Sequence, residues 1–169
     1  MKLKTLLFVC CISFLSSSLS AQKCKYNFDK LDKMTNERVR RITFAIKNYF
    51  QVSLFRKADD FRVELNVRFI GERNFQVKTG ETIDIKLSGG TILNLKAFQD
   101  ASPVSYAASG QIMTIYAITY SISKEEMQQI AKEGFKVVKA KLGGEEYTFE
   151  TSEKMTLKTA AGATCILTP

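Results

Sequence analysis

Phe61-Arg-Val-Glu-Leu-Asn-Val-Arg-Phe69 alternates without a break. Phe61, Val63, Leu65, Val67 and Phe69 take the odd places, and Arg62, Glu64, Asn66 and Arg68 the even ones. Successive side chains on a strand point to opposite faces, so this pattern predicts a strand with one buried and one wet face. Gly71-Glu-Arg-Asn74 reads as a turn, after which Phe75 and Val77 are expected to continue the pattern. Thr79-Gly80-Glu81 breaks it again. Ile83, Ile85 and Leu87 then alternate, Ser88-Gly89-Gly90 turns, and Leu93, Leu95 and Ala97 follow. Short polar turns between alternating runs predict successive antiparallel strands.

Residues 99–110 are small and polar and hold one of the two prolines; a loop with an irregular edge strand is expected there. From Ile112 to Ile122 both faces are apolar, with Ile112, Tyr116, Ile118 and Tyr120 on one side and Met113, Ile115 and Ala117 on the other. That predicts a central strand covered on both sides. Ser123-Lys-Glu-Glu126 is a capping box: the Ser hydroxyl and the Glu carboxylate each satisfy a free backbone N–H of the other. Met127, Ile130 and Ala131 form an apolar stripe behind it, and Gly134 is placed as a C-cap, so a helix is predicted near 123–134. Residues 135–142 and 145–150 read as strands joined by Gly143-Gly144, a pair that tolerates positive φ.

Two stretches read two ways. In 37–55, Ile42, Phe44 and Ile46 fit a strand, while Val39, Ile42, Ile46 and Tyr49 fit a helix. The β-branched and aromatic content favours strands. A first strand is then expected at Lys25–Phe28, with Asp29–Glu37 as a turn-rich link. The tail, 152–166, fits either a short helix or an edge strand, and its alanines do not decide. The predicted fold is α+β and mostly antiparallel β, a sandwich or a strongly curved sheet with one helix, in a single domain over 22–169.

The first 21 residues have the features of a signal peptide. Lys2 and Lys4 precede an apolar run, Leu6–Leu15, that is too short to span a bilayer as a helix. Leu19-Ser20-Ala21 puts a small residue at the expected cut, leaving Gln22 first. Cys10 and Cys11 fall inside the apolar run, and Val9 precedes Cys10 where a lipidation site carries a small residue. Removal of the segment lowers the formal charge from +8 to +6 and leaves Cys24 and Cys165. An even cysteine count in an oxidising compartment favours a disulfide. The expected location is outside the cytoplasm: periplasmic, outer-membrane-associated or extracellular.

The chain has no His and no Trp, which excludes imidazole acid–base chemistry, His metal ligation and Trp-floored sugar platforms. Ser121-Ile-Ser-Lys124 and Lys78-Thr79-Gly80 resemble fragments of the serine β-lactamase and penicillin-binding protein signature. Their order is reversed, the S-D-N element is missing, and the chain is too short for that fold. Ser123 as a helix cap and Thr79-Gly80 as a turn account for them. The carboxylate pairs Asp59-Asp60, Glu125-Glu126 and Glu145-Glu146 need a shared cleft to do glycosidase work, and neighbours on a strand point apart. No C-x-x-C, calcium loop or phosphate loop is present. No cofactor, no metal and no enzymatic activity are expected.

Charge is the one uneven feature. Residues 22–80 carry 14 Lys/Arg and 7 Asp/Glu, whereas 81–169 carry 9 and 10. All seven arginines lie in the first segment. Arg38, Arg40, Arg41 and Arg56 are the candidate anion-binding surface, since the guanidinium fork suits phosphate and carboxylate. The competing reading is a solvated strand face with Arg and Glu paired across strands. Tyr106, in the small-residue loop, is the aromatic expected to make an exposed contact.

The signal ending Ser-Ala-Gln, the Asp29-x-x-Asp32-x-x-Thr35 approach to a strand, and the late capping-box helix followed by a Gly-Gly hairpin together resemble small exported bacterial β-rich proteins of unassigned function. The resemblance implies an exported, non-enzymatic binding or structural module of the bacterial envelope. The partner is expected to be an anionic envelope component or a protein, and nucleic acid is not expected. The alternatives are an inhibitor or partner-binding protein that uses a sheet edge, and a small serine or carboxylate hydrolase.

Overall fold

The computed structural model of the chain describes residues 24–108 and 110–168. The expected leader over 1–21, with Cys10 and Cys11, lies outside these residues. The alternating stretch becomes β4 (Asp60–Ile70). It lies inside a six-stranded sheet formed with β1 (Phe28–Leu31), β2 (Arg38–Lys47), β3 (Phe50–Lys57), β8 (Gln111–Ile122) and β7 (Val104–Ala108), in the order β1-β2-β3-β4-β8-β7. A second, four-stranded sheet has the order β10-β9-β5-β6, from β5 (Thr82–Leu87), β6 (Ile92–Lys96), β9 (Phe135–Leu142) and β10 (Glu145–Glu150). All the strand pairs are antiparallel. Helix α1 (Lys124–Glu133) links β8 to β9, and helix α2 (Glu153–Leu167) follows β10. The fold is α+β and mostly antiparallel β, as the patterning predicts. Among the described residues, no helix is long and apolar enough to cross a membrane.

The core lies between the sheets. Val63 and Leu65 of β4, Val52 and Leu54 of β3, and Tyr116 and Ile118 of β8 are sealed from solvent. Full burial of each such side chain stabilises by roughly 1.5–3 kcal/mol. Phe149 of β10 stacks on Phe50 of β3 with ring centroids 3.6 Å apart, so β10 lies over the inner face of the larger sheet. Gly143 and Gly144 join β9 to β10 at φ 61° and 88°, values that Cβ-bearing residues adopt at a cost.

Stretch 37–55 is a β-hairpin, as its β-branched content indicates. The first strand is displaced: it covers Phe28–Leu31 rather than Lys25–Phe28, because Phe28 pairs with Arg41 and Leu31 with Arg38. The turn is therefore shorter than the expected Asp29–Glu37 link. Asp32 organises it by accepting from the N–H groups of Met34 and Thr35. Phe75 and Val77 do not form a strand; Val77 makes only an isolated bridge to Ala101. Residues 104–108 are the edge strand foreseen within the 99–110 loop. Strand β8 is central, but only one of its faces is covered. Met113, Ile115 and Thr119 are half-buried and Ala117 is exposed, because no helix or second sheet among the described residues packs on the outer side of the larger sheet. Ile112 shares the inner parity yet is 49% exposed, at the strand end beyond the smaller sheet.

The capping box at α1 forms as predicted, with Ser123 Oγ accepting from Glu126 N–H and Glu126 Oε2 from Ser123 N–H. The ambiguous tail is α2, whose cap Ser152 accepts from Met155 N–H. Two of its core-facing positions, Thr156 and Thr159, are polar, and this hides the apolar stripe. Their hydroxyls are used on β9: Thr156 Oγ1 and Thr151 Oγ1 donate to Phe135 C=O at 2.7 and 2.6 Å, and Phe135 N–H donates to Thr159 Oγ1 at 2.9 Å. A buried amide left unpaired there would cost about 1–3 kcal/mol. Just before it, Gly134 (φ 74°) touches α2 so closely that a Cβ would collide with the Thr156 carbonyl.

Cys24 and Cys165 are joined, with Cα atoms 5.6 Å apart and positions separated by 141 in sequence. Closing so long a loop restricts the unfolded chain, so reduction or Cys165→Ala is expected to lower unfolding free energy by about 2–5 kcal/mol; urea titration of oxidised and reduced protein measures this. Two carboxyls sit well below their ordinary value. Met34 N–H, then Lys57 and Thr35 N–H, hold Asp32 at about 2. Thr79 N–H and hydroxyl, then Lys78, hold Asp100 at about 2. A depressed folded pKa adds stability above the unfolded value and loses it as pH falls through the folded one. The urea midpoint is therefore expected to decline from about pH 4 down to about pH 2. Asp32→Asn and Asp100→Asn are each expected to flatten that decline.

Candidate functional site

The four candidate arginines are split between the two faces of β2 and β3. Arg38, more than half exposed, makes a fork to Asp29 with bonds of 2.7 and 2.8 Å. Arg41 faces outward, 5.8 Å over the Phe55 ring and 3.4 Å from Glu64. Arg40 and Arg56 face inward and stand directly opposite each other in the β2–β3 register. Like charges so placed repel. Here both are aimed at the C-terminal end of α2, where the last carbonyls lack helical partners and the dipole is negative. Arg56 Nη1 donates to the carbonyls of Ile166, Leu167 and Thr168 at 3.2, 3.1 and 2.9 Å, and Arg40 Nη1 donates to Thr168 C=O. Helix α2 has no basic residue in its own last turn, so the compensating cations come from the sheet. The structure thus brings Arg40 and Arg56 together on the helix and leaves Arg38 and Arg41 on separate acids.

Several of the other candidate residues have internal partners. Thr79 donates its hydroxyl to Asp100 at 2.8 Å. Ser123 caps α1, and Ser121 lies exposed on β8. Glu146 pairs with Lys139 at 2.8 Å, and Asp60 with Arg62. Among the described residues, no three Cys, Asp or Glu side chains gather as a metal site.

A large concavity lies where sequence patterning offers no signal. It is a cleft of about 950 Å³ between β2, helix α2 and the segment that begins at Cys24. Strand β1 pairs only with residues 38–41 of β2, so the rest of β2 outruns it. The Arg41 carbonyl accepts from Asn27 N–H at 2.9 Å on the β1 side. On an antiparallel strand every second residue aims its N–H and C=O the same way, so Thr43 and Ala45 face that side too. Thr43 N–H meets Asn27 Oδ1 at 2.6 Å. Past it, the exposed Ala45 has no neighbouring strand on that side among the described residues. This is a free strand edge opening into the cleft.

The opposite wall is one face of α2: Glu153, Lys154, Leu157, Lys158 and Ala161. Leu157 is 66% exposed, out of line with a helix whose other side is buried. Ile42 and Phe44 form the apolar floor. Gly162 brings helix and strand together, since a Cβ there would collide with the Phe44 ring. Lys25, Lys154 and Lys158 rim the cleft, and among the described residues none has an ion-pair partner. Glu153 is the one acid in the lining. The arrangement offers backbone hydrogen bonds on one wall, apolar contact on the floor, and net positive charge at the rim.

Comparison with family models, with curated proteins and with solved structures finds no match to the chain.

Gly162→Val is expected to lower stability by roughly 1–3 kcal/mol through overpacking against Phe44. Thermal unfolding checks this, and Gly162→Ser should fall between Val and the parent.

Proposed function

We propose that the chain is an exported, non-enzymatic binding module that holds an extended, acidic segment of a partner protein as an added strand on β2. One observation carries the reading: past Thr43 the β2 edge has no neighbouring strand among the described residues, and it faces a helix wall whose lysines lack acidic partners. An exposed strand edge invites pairing with another chain, and natural proteins ordinarily cover or charge it. Strand addition draws affinity from the main chain and specificity from side-chain pockets, and a neighbouring helix supplies those pockets. Here the pocket floor is Ile42 and Phe44, and Leu157 provides an apolar contact from the helix. Three lysines against one glutamate select a segment bearing carboxylates.

The leader-like first 21 residues and the Cys24–Cys165 disulfide support a site of action in the bacterial envelope, whether periplasmic, outer-membrane-associated or extracellular. Ser123 is used as a helix cap, and Asp59, Asp60, Glu126 and Glu146 are used in ion pairs or capping. That supports binding over catalysis.

A fluorescein-labelled hexapeptide alternating valine with glutamate tests the proposal by anisotropy. The parent protein is expected to bind it with an affinity that falls as salt rises. Ala45→Pro removes the edge N–H without touching the β2–β3 ladder and is expected to weaken binding at least tenfold. Lys154→Glu with Lys158→Glu is expected to reverse the preference toward a valine–lysine peptide. Binding unchanged by Ala45→Pro, in a variant with parental circular dichroism, overturns the reading.

A further inference from the structure

A second concavity, of about 460 Å³, shares no lining residue with the cleft. It forms because β4 outruns its neighbour: Phe50, the first residue of β3, pairs with Val67, so Arg68–Ile70 extend past it. The β2–β3 turn, with Asn48 and Tyr49, closes that side, and Tyr49 C=O accepts from Arg68 N–H at 2.8 Å. Tyr106 and Met113, partners on β7 and β8, form the far side next to Ile70.

The lining is aromatic to a degree that core packing does not require. Phe69 and Phe149, buried on the inner face, line one side, and Arg68, Ile70, Met113 and Tyr106 lie on the outer face, so the concavity wraps the uncovered end of β4. Tyr147 leans on Phe69 edge-to-face, with centroids 5.5 Å apart, and stacks beyond Phe149 at 6.5 Å. Tyr49 and Tyr106, by contrast, are 50% and 40% exposed, and Ile70 is 71% exposed. Polar groups are few. Asn48 and Arg68 are at the rim, and the Arg68 guanidinium has no acidic or hydrogen-bonding partner among the described residues. That sets it apart from Arg38, Arg40, Arg41, Arg56 and Arg62, whose partners are on the protein. Arg73 adds positive charge nearby, 5.7 Å from the Phe69 centroid.

From this we infer a ligand site for a small, flat aromatic molecule carrying an anionic group. Ring faces take planar rings in offset or edge-to-face contact. A small number of placed polar groups within a mainly apolar cavity of this size is the usual form of a small-molecule site. The guanidinium fork pairs with a carboxylate or sulfonate. The site lies outside the strand-addition cleft and does not depend on it.

The probes are 1-anilinonaphthalene-8-sulfonate and its uncharged relative N-phenyl-1-naphthylamine, titrated into the disulfide-bonded protein. The sulfonate is expected to bind in a 1:1 ratio, about tenfold tighter than the neutral probe, from one charge-assisted contact. Arg68→Gln should weaken the sulfonate about tenfold and leave the neutral probe unchanged, while Tyr106→Ala should weaken both. The chain has six Tyr and no Trp, and three of the six line this pocket, so binding should also change tyrosine emission. Near-UV circular dichroism confirms that each variant keeps its packing. Equal affinity for the two probes overturns the anionic part of the inference. Indifference to both substitutions, or loss of binding in the cleft variant Leu157→Asp, overturns the site.

Discussion

The inner face of a six-stranded sheet is wider than the four-stranded sheet laid over it, and α2 fills the difference. The helix packs on β2 and β3 beside the area that β10 covers, and against β9 at its border. Much of the remaining structure serves to hold it there. Its N-terminal half is fastened by threonine hydroxyls that saturate Phe135. Its middle comes close over Phe44 because Gly162 has no Cβ. Its C-terminal end is tied covalently to Cys24 and electrostatically to Arg40 and Arg56. A helix held at three levels is a rigid wall, which is what a binding cleft needs from one of its sides.

Two arginines paired across neighbouring strands would be costly on an open surface. Their cost is offset because both point at the negative end of the same helix dipole, inside a partly dry site where charge interactions are stronger than in water. Tyr26 completes this corner. Its ring lies under the Arg40 guanidinium and its hydroxyl donates to Cys165 C=O at 2.8 Å, beside the disulfide. Much of the positive charge in the first half of the chain is therefore used inside the fold. Lys25, Lys154, Lys158 and Arg68 border the concavities and are among the several cations without an ion-pair partner within the described residues.

Both concavities arise from strands of unequal length. Strand β1 is too short for β2, and β3 begins too late to cover the end of β4. Each mismatch leaves backbone or aromatic surface without a lateral neighbour. A sheet of matched strands would bury both, so the ragged ends provide the access that a filled core denies. The sites differ in chemistry because different side chains fall at each end. Lysines and a helix face lie beside β2, and tyrosines and an arginine lie beside β4.

Strands with one wet face were legible in the sequence because period 2 records burial directly: Phe61 to Phe69, Ile83 to Leu87 and Leu93 to Ala97 all face inward as their spacing implied. The capping box of α1 and the Gly143-Gly144 hairpin were legible too, since their chemistry is local. Tyr106, the aromatic of the small-residue loop, is exposed as its setting implies, and it lines a pocket. Helix α2 was not legible, because its core-facing threonines look polar until Phe135 is placed against them. Nor was the fate of Arg40 and Arg56, whose partners lie more than 100 residues away in sequence. Strand register lies beyond local pattern as well, and register decides that Ala45 has no neighbouring strand among the described residues. Local periodicity determined which face of each strand is buried, because burial acts residue by residue. Only tertiary structure decided where the sheets run out of cover, because that depends on how strands of different lengths meet.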